Sequence, residues 1–308
     1  MSKLARAADL GPLRDATEET LARLVDNGVV ARIWNRDHTV WNADPAEISN
    51  RLGWLDCPEA MTRTIADLES LATECRREDF TDALLLGMGG SSLAPEVFRR
   101  VFGVAAGFLN LTVLDSTDPA YIQSRAESLP LAKTLFLPAT KSGGTVETLS
   151  LLKFFFNRAR DSVGSSVGRQ FVAITDPDSG LATLAAELGF RRIQLNDPEI
   201  GGRYSALSNF GLLPAALIGL DIARLLESAR GFLGELRLES KDNPAAFLGA
   251  AVGAGAQRGR DKLTIVTSPA LSPFGIWIEQ LVAESTGKND GGILPVDQEQ
   301  LRPPDAYG

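Results

Sequence analysis

Thr134–Phe156 reads TLFLPATKSGGTVETLSLLKFFF, and the fold turns on how this stretch is understood. Its first five residues, Thr134–Pro138, form an apolar run of strand length. From Val146 to Phe156 the apolar residues recur at helical spacing. Between the two, Thr140–Ser150 (TKSGGTVETLS) carries Thr140, Ser142, Thr145 and Thr148, one lysine, Lys141, and the pair Gly143–Gly144. A loop of this kind at a helix N-terminus presents free backbone N–H groups, the positive end of the helix dipole and hydroxyl donors. Phosphate is the natural ligand for that set. An ordinary strand–loop–helix connection with Ser/Thr capping accounts for the same residues, so the flanking sequence has to decide.

Outward from this stretch the pattern repeats. Candidate strands are Ala83–Leu86, Leu109–Leu114, Thr134–Pro138, Phe171–Thr175 and Phe190–Leu195. Helical patterns cover Pro95–Phe102, Pro119–Glu127, Val146–Ser162 and Leu181–Leu188. Strands alternating with helices predict a parallel sheet covered on both faces. The fold class is therefore α/β, a three-layer αβα sandwich on a five-stranded parallel, flavodoxin-like sheet, with ligands at the carboxyl ends of the strands. The polar residues collect there: Gly87–Ser92 (GMGGSS), Asp115–Asp118 (DSTD), the Thr140 loop and Asp176–Ser179 (DPDS). GMGGSS lacks the third glycine of a dinucleotide fingerprint and has no Walker lysine. Two Gly/Ser/Thr loops at adjacent strand ends favour a small phosphorylated ligand over a nucleotide.

Composition narrows the class. With 44% hydrophobic and 23% charged residues, the 308-residue chain reads as globular and long enough for two domains. Thirty-one basic against thirty-nine acidic residues, with no basic cluster, argue against nucleic acid as a partner. Cys57, Cys75 and the single histidine, His38, give neither a disulfide framework nor a zinc ligand set, so no metal is expected. The start, MSKLARAADL, lacks an apolar signal core, and no run approaches the ~18 residues of a membrane span. A cytoplasmic protein is expected.

Residues 1–78 read as a helical accessory segment, with helices over Ala16–Val25, from Pro45 to Leu52, and over Pro58–Arg76. His38, in IWNRDHTVW, has no acid–base partner beside it and reads as a surface or hinge residue. Residues 79–230 form the sandwich domain and end in a long helix, Leu207–Ala229, preceded by Gly201–Ser205 (GGRYS). There the glycine pair lets the chain aim Arg203 inward; a loop with a surface arginine is the other reading. Residues 231–308 restart the pattern with helix Ala245–Gln257, strand Lys262–Thr267 and helix Phe274–Ser285. They then run through GKNDGGILPV to LRPPDAYG. One strand does not make a sheet, so an incomplete second domain is expected.

Four blocks in this order, GMGGSSLAP, TKSGGTVET, GGRYSALSNFGL and EQLVAESTGK, resemble the signature blocks of glucose-6-phosphate isomerase, from about Leu84 to Val296. IWNRDHTVW near the start is similar to the isomerase half of bacterial transaldolase–isomerase fusions, which would add a transaldolase domain in the parent protein. The resemblance implies two sugar-isomerase (SIS) domains, a place in glycolysis and gluconeogenesis, a hexose 6-phosphate ligand, a homodimer and no cofactor. It implies that Thr140, Lys141, Ser142, Thr145 and Thr148 hold the phosphate, that Gly89, Gly90 and Ser91 line the sugar, and that Glu147 lies close by.

The same resemblance implies a base at Glu284, which carries a proton between C2 and C1 through a cis-enediol. It puts the cation for the enediolate oxygen at Arg203 and Gln280 one turn before the base. Trp277, Leu281 and Glu284 fall at i, i+4 and i+7, so an apolar helix stripe should partly bury the carboxylate and raise its pKa. Ordinary solvation at a helix end is the alternative. Family members also use a ring-opening histidine from the partner subunit and a lysine near the C-terminus, and no block matching either is present. A sugar-phosphate-binding SIS module that senses or regulates without chemistry is the competing function. Such a module has no use for a base.

Overall fold

The computed structural model describes residues 3–288, 291–300, 302–303 and 305; most of LRPPDAYG lies outside them. The chain divides into two compact units, Gly53–Leu226 and a second formed by residues 1–52 with 227–308.

In the first unit five strands, β1 (Asp82–Gly87), β2 (Asn110–Leu114), β3 (Thr134–Ala139), β4 (Val172–Thr175) and β5 (Arg192–Leu195), form one sheet in the order β2-β1-β3-β4-β5. All its pairs are parallel: Asp82 stands opposite both Asn110 and Thr134, and Val172 opposite Arg192. Because side chains alternate across a strand, Ala83, Leu85, Leu135, Leu137, Val172 and Ile174 face one core. Leu84, Leu86, Phe136 and Ala173 face the other. The first core is closed by Leu68 and Leu71 of helix Ile65–Arg77, Phe98 of Leu93–Phe102 and the wholly buried helix Asn209–Leu217. The second is closed by Leu151, Leu152 and Phe155 of helix Val146–Val163 and Leu181 of Gly180–Glu187. Phe136 stacks on Phe171 there at 4.7 Å. Each large side chain so buried contributes about 1.5–3 kcal/mol. This is the expected αβα sandwich.

The strand order fixes where a ligand can sit. β2 lies on one side of β1 and β3–β5 run out on the other, so the order reverses between β1 and β3. In open α/β sheets ligands bind outside the carboxyl ends of the strands at such a switch point. Cys57 and Cys75 are buried in the first core, and burial pushes their thiols up to about 12 and about 11, so both stay protonated.

Several expected elements are corrected. The long helix Leu207–Ala229 is two, Asn209–Leu217 and Ile222–Leu236. Gly219 breaks it at φ +79°, where a Cβ would lie 2.6 Å from the Phe108 ring, and Asp221 Oδ1 accepts from Arg224 N at 2.8 Å to start the second helix. No α-helix runs from Pro45 to Leu52. Asn42 and Asp44 accept from backbone N–H groups two residues on, and Glu47 is left-handed, so the segment turns and ends in the short 3-10 piece Ser49–Arg51. Pro58–Arg76 is split by a 3-10 turn at Met61–Thr64.

In the second unit, helices Arg14–Asp26 and Pro244–Gln257 share a small core of Ala5, Leu21, Phe247 and Ala250. Arg237 lies over the Trp34 ring, whose Nε1 donates to Leu236 O at 3.2 Å. The expectation of a lone strand is wrong: β6 (Lys262–Thr264) pairs in parallel with β7 (Leu294–Val296). Pro295 at the centre of β7 hid it, since proline marks strands only at edges. Among the described residues no helix is long and apolar enough to cross a membrane.

Candidate functional site

Four loops meet in the first unit where the strands end. After β1, Gly89–Ser91 makes one 3-10 turn, with Gly89 at φ +53° and Ser92 Oγ donating to Gly89 O at 3.0 Å. Ser91 is buried. Gly90 packs so closely on the fourth loop that a Cβ would lie 2.3 Å from Gly202 O. That fourth loop, the turn Gly202–Leu207, is tied back by Ser205, whose Oγ lies 3.0 Å from Gly90 O and 2.7 Å from Gly202 O. The GMGGSS and GGRYS motifs are thus in main-chain contact, with the half-buried Arg203 beside the contact.

After β3, the loop Thr140–Thr145 is held by the end of β4 and by the loop that follows it, Asp176–Ser179. Thr140 N donates to Ile174 O at 3.1 Å, and the Thr175 hydroxyl donates to Thr140 O at 2.7 Å. Thr175 Oγ1 also lies 2.7 Å from Ser179 Oγ, which accepts from Ala182 N at 3.1 Å. Gly143, at φ +69°, comes so near Gly180–Leu181 that a Cβ would be 2.6 Å from Leu181 N. Lys141 Nζ forms an ion pair with the buried Asp176 and donates to Pro198 O at 2.7 Å. The lysine therefore ties three loop ends together.

The helix Val146–Val163 starts without a side-chain cap. Its N-cap residue Thr145 turns its hydroxyl to Thr140 Oγ1, 2.7 Å away, while Ser142 Oγ accepts from Gly144 N at 3.2 Å. Thr148 in the first turn is fully buried, and its Oγ1 has no hydrogen-bond partner among the described residues. A helix N-terminus whose first N–H groups lack a side-chain cap can accept an anion. Glu147, also in the first turn, is exposed. Thr148→Val should leave the thermal midpoint equal or higher, because it deletes an unsatisfied buried group, yet weaken inorganic phosphate binding about tenfold. Melting and titration of one preparation decide this, and unchanged affinity would remove Thr148 from the site.

Glu284 and Gln280 lie in the second unit, on helix Phe274–Thr286. Gln280 Nε2 donates to Glu284 Oε1 at 2.9 Å, and Lys288 Nζ donates to Glu284 O at 2.7 Å. The expected burial of Glu284 is not found. Trp277 and Leu281 are themselves half-exposed and Gly275 is the buried residue of the helix, so the stripe leaves the carboxylate exposed. His38 stands in a 3-10 turn with Nε2 3.3 Å from Ala43 O. The sequence reading missed the service of Asp176 and Ser179 to the Thr140 loop. Their signal was visible as DPDS at a strand end, without the partner each one serves.

Comparison with known proteins gives this geometry its context. Residues 69–294 match the profile of a family described as phosphoglucose isomerase. A glucose-6-phosphate isomerase of Carboxydothermus hydrogenoformans is 33% identical over 249 residues, covering 77% of this chain and 53% of the relative. One from Thermosynechococcus vestitus is 39% identical over 217 residues, covering 68% and 40%. The chain spans about half the length of the curated relatives it matches. Among solved structures, a hypothetical protein of Thermus thermophilus superposes with a TM-score of 0.77 at 29% identity, over 95% of this chain and 68% of the other. A glucose-6-phosphate isomerase of Chlamydia trachomatis shares the fold, with a TM-score of 0.70 at 20% identity, over 95% and 60%.

Proposed function

This chain belongs to the phosphoglucose isomerase family, and on that premise we propose that it interconverts glucose 6-phosphate and fructose 6-phosphate through a cis-enediol. Thr140, Ser142, Thr145, Thr148 and the open N–H groups of helix Val146–Val163 receive the phosphate. Lys141 serves the loop through its ties to Asp176 and Pro198. Gly89, Gly90 and Ser91 line the sugar, with Glu147 at the rim. Glu284, oriented by Gln280, lifts the C2 proton and returns it to C1. Arg203 meets the negative charge that develops on the enediolate oxygen. The electron pair never leaves the substrate, so the chemistry calls for no redox cofactor. A cytoplasmic homodimer completes the reading.

The observation that supports it is the main-chain contact of Gly90 with Gly202, which joins the GMGGSS loop to the turn that carries Arg203. One observation favours the second reading, a binding module without chemistry: the carboxylate of Glu284 is exposed. Deuterium wash-in at C2 of glucose 6-phosphate separates the two. The isomerase exchanges this hydrogen, and Glu284→Gln should slow exchange by at least about a hundredfold. A parent chain that binds the sugar phosphate without exchange is the module. A Glu284→Gln variant as fast as its parent means that the base is another residue.

A further inference from the structure

Trp54 lies outside every motif, in the stretch that the sequence presents as accessory. The structure puts it in the same compact unit as the strand-end loops. It stands in the turn Gly53–Asp56, half-buried against the first core. Gly53 N donates to Glu199 O at 3.0 Å, and a Cβ on Gly53 would lie 3.0 Å from Glu199 Cβ, so this turn rests on the backbone that leads into GGRYS. The Trp54 ring stacks on Tyr204 with centroids 5.0 Å apart and planes 17° from parallel. The guanidinium carbon of Arg203 lies 5.9 Å from the centroid of the same Tyr204 ring.

The two residues that follow Arg203 are thus both anchored. Ser205, two residues on, is fastened to Gly90 O, and Tyr204 is fastened by Trp54. An arginine side chain has many rotamers, and an aromatic face that attracts a guanidinium favours those that lie over the ring. A ring free to tip would give no such restraint; a ring stacked on an indole does.

We propose that Trp54 is a positioning residue: acting through Tyr204, it aims the Arg203 guanidinium at the oxygen on which charge develops. This rests on the proposed role of Arg203 above. The restraint matters most where the ligand carries negative charge at that oxygen and little for the phosphate, which other loops hold.

The test compares two ligands on the whole chain by calorimetry. 5-Phosphoarabinonate carries a carboxylate where the enediolate charge forms, and 5-phosphoarabinitol carries an alcohol there. The ratio of their affinities reads the groups that meet charge at that position, and Arg203→Ala isolates the cation's share. Trp54→Leu should lower that ratio by up to about fivefold, toward the value for Arg203→Ala, with inorganic phosphate affinity unchanged. Trp54→Phe, which keeps a stacking ring, should stay within about twofold of the parent. The proposal is overturned if Arg203→Ala loses the ratio while Trp54→Leu keeps it. It is overturned equally if Trp54→Leu loses phosphate affinity in proportion, which would mean general damage. A ratio that survives Arg203→Ala overturns instead the role given to Arg203, a separate failure.

Discussion

Gly143→Ala should unfold at markedly lower urea than the parent and lose most of its affinity for phosphate. Two terms add. At φ +69° a side chain costs roughly 1–2 kcal/mol. In addition, the new Cβ would lie 2.6 Å from Leu181 N and 2.8 Å from both Gly180 N and Ser179 Cβ. Two of these three atoms are backbone, so no rotamer change relieves the contact, and overpacking of this kind costs about 1–3 kcal/mol. Gly28 offers the control: it is left-handed at φ +58° and ψ +31°, and a Cβ there would meet nothing within 4 Å. Gly28→Ala should therefore show the conformational term alone. If Gly143→Ala loses no more than Gly28→Ala, the loop after β4 gives way and does not hold the Thr140 loop.

Arg203→Ala should slow C2 exchange by about a hundred- to a thousandfold while sugar phosphate binding weakens only a few fold. The reason is when the charge appears. The bound sugar is neutral at the oxygen concerned, so Arg203 has little to meet until the enediolate forms. Exchange rates at saturating ligand, set beside calorimetric affinities, separate the two quantities. Equal losses in both would make Arg203 a binding residue only.

The sheet was legible because β1 and β3 are unbroken apolar runs, each followed by a glycine-rich loop, and all five strands fall within two residues of their expected bounds. Three of the four loops that meet in the site were legible for the same reason, polar residues interrupting an apolar rhythm. The fourth, Gly202–Leu207, was read only as a glycine pair before an arginine, and Asp115–Asp118 is not among the four. What stayed hidden lies at long range. Nothing local in Lys141 announces Asp176, thirty-five positions on, as its partner. Trp54 and Tyr204 are 150 positions apart by their numbers and share no pattern. The break at Gly219 was missed because Leu207–Ala229 keeps its apolar content across it, and β7 because a proline occupies its centre. Periodicity placed Glu284 on a stripe correctly but could not say what covers that stripe. A hydrophobic pattern names a face and leaves its cover unstated.

Two close approaches in the site, Gly90 to Gly202 and Gly143 to Gly180–Leu181, share a property with a thermodynamic consequence. Each is made by glycine against main chain, with no rotamer to choose. The spacing of the loops is then set by van der Waals radii. Ordering flexible side chains around a ligand costs about 0.5–1.5 kcal/mol apiece. On the proposed reading the backbone N–H donors of the Thr140 loop escape that entropy, and only its hydroxyl side chains bear it.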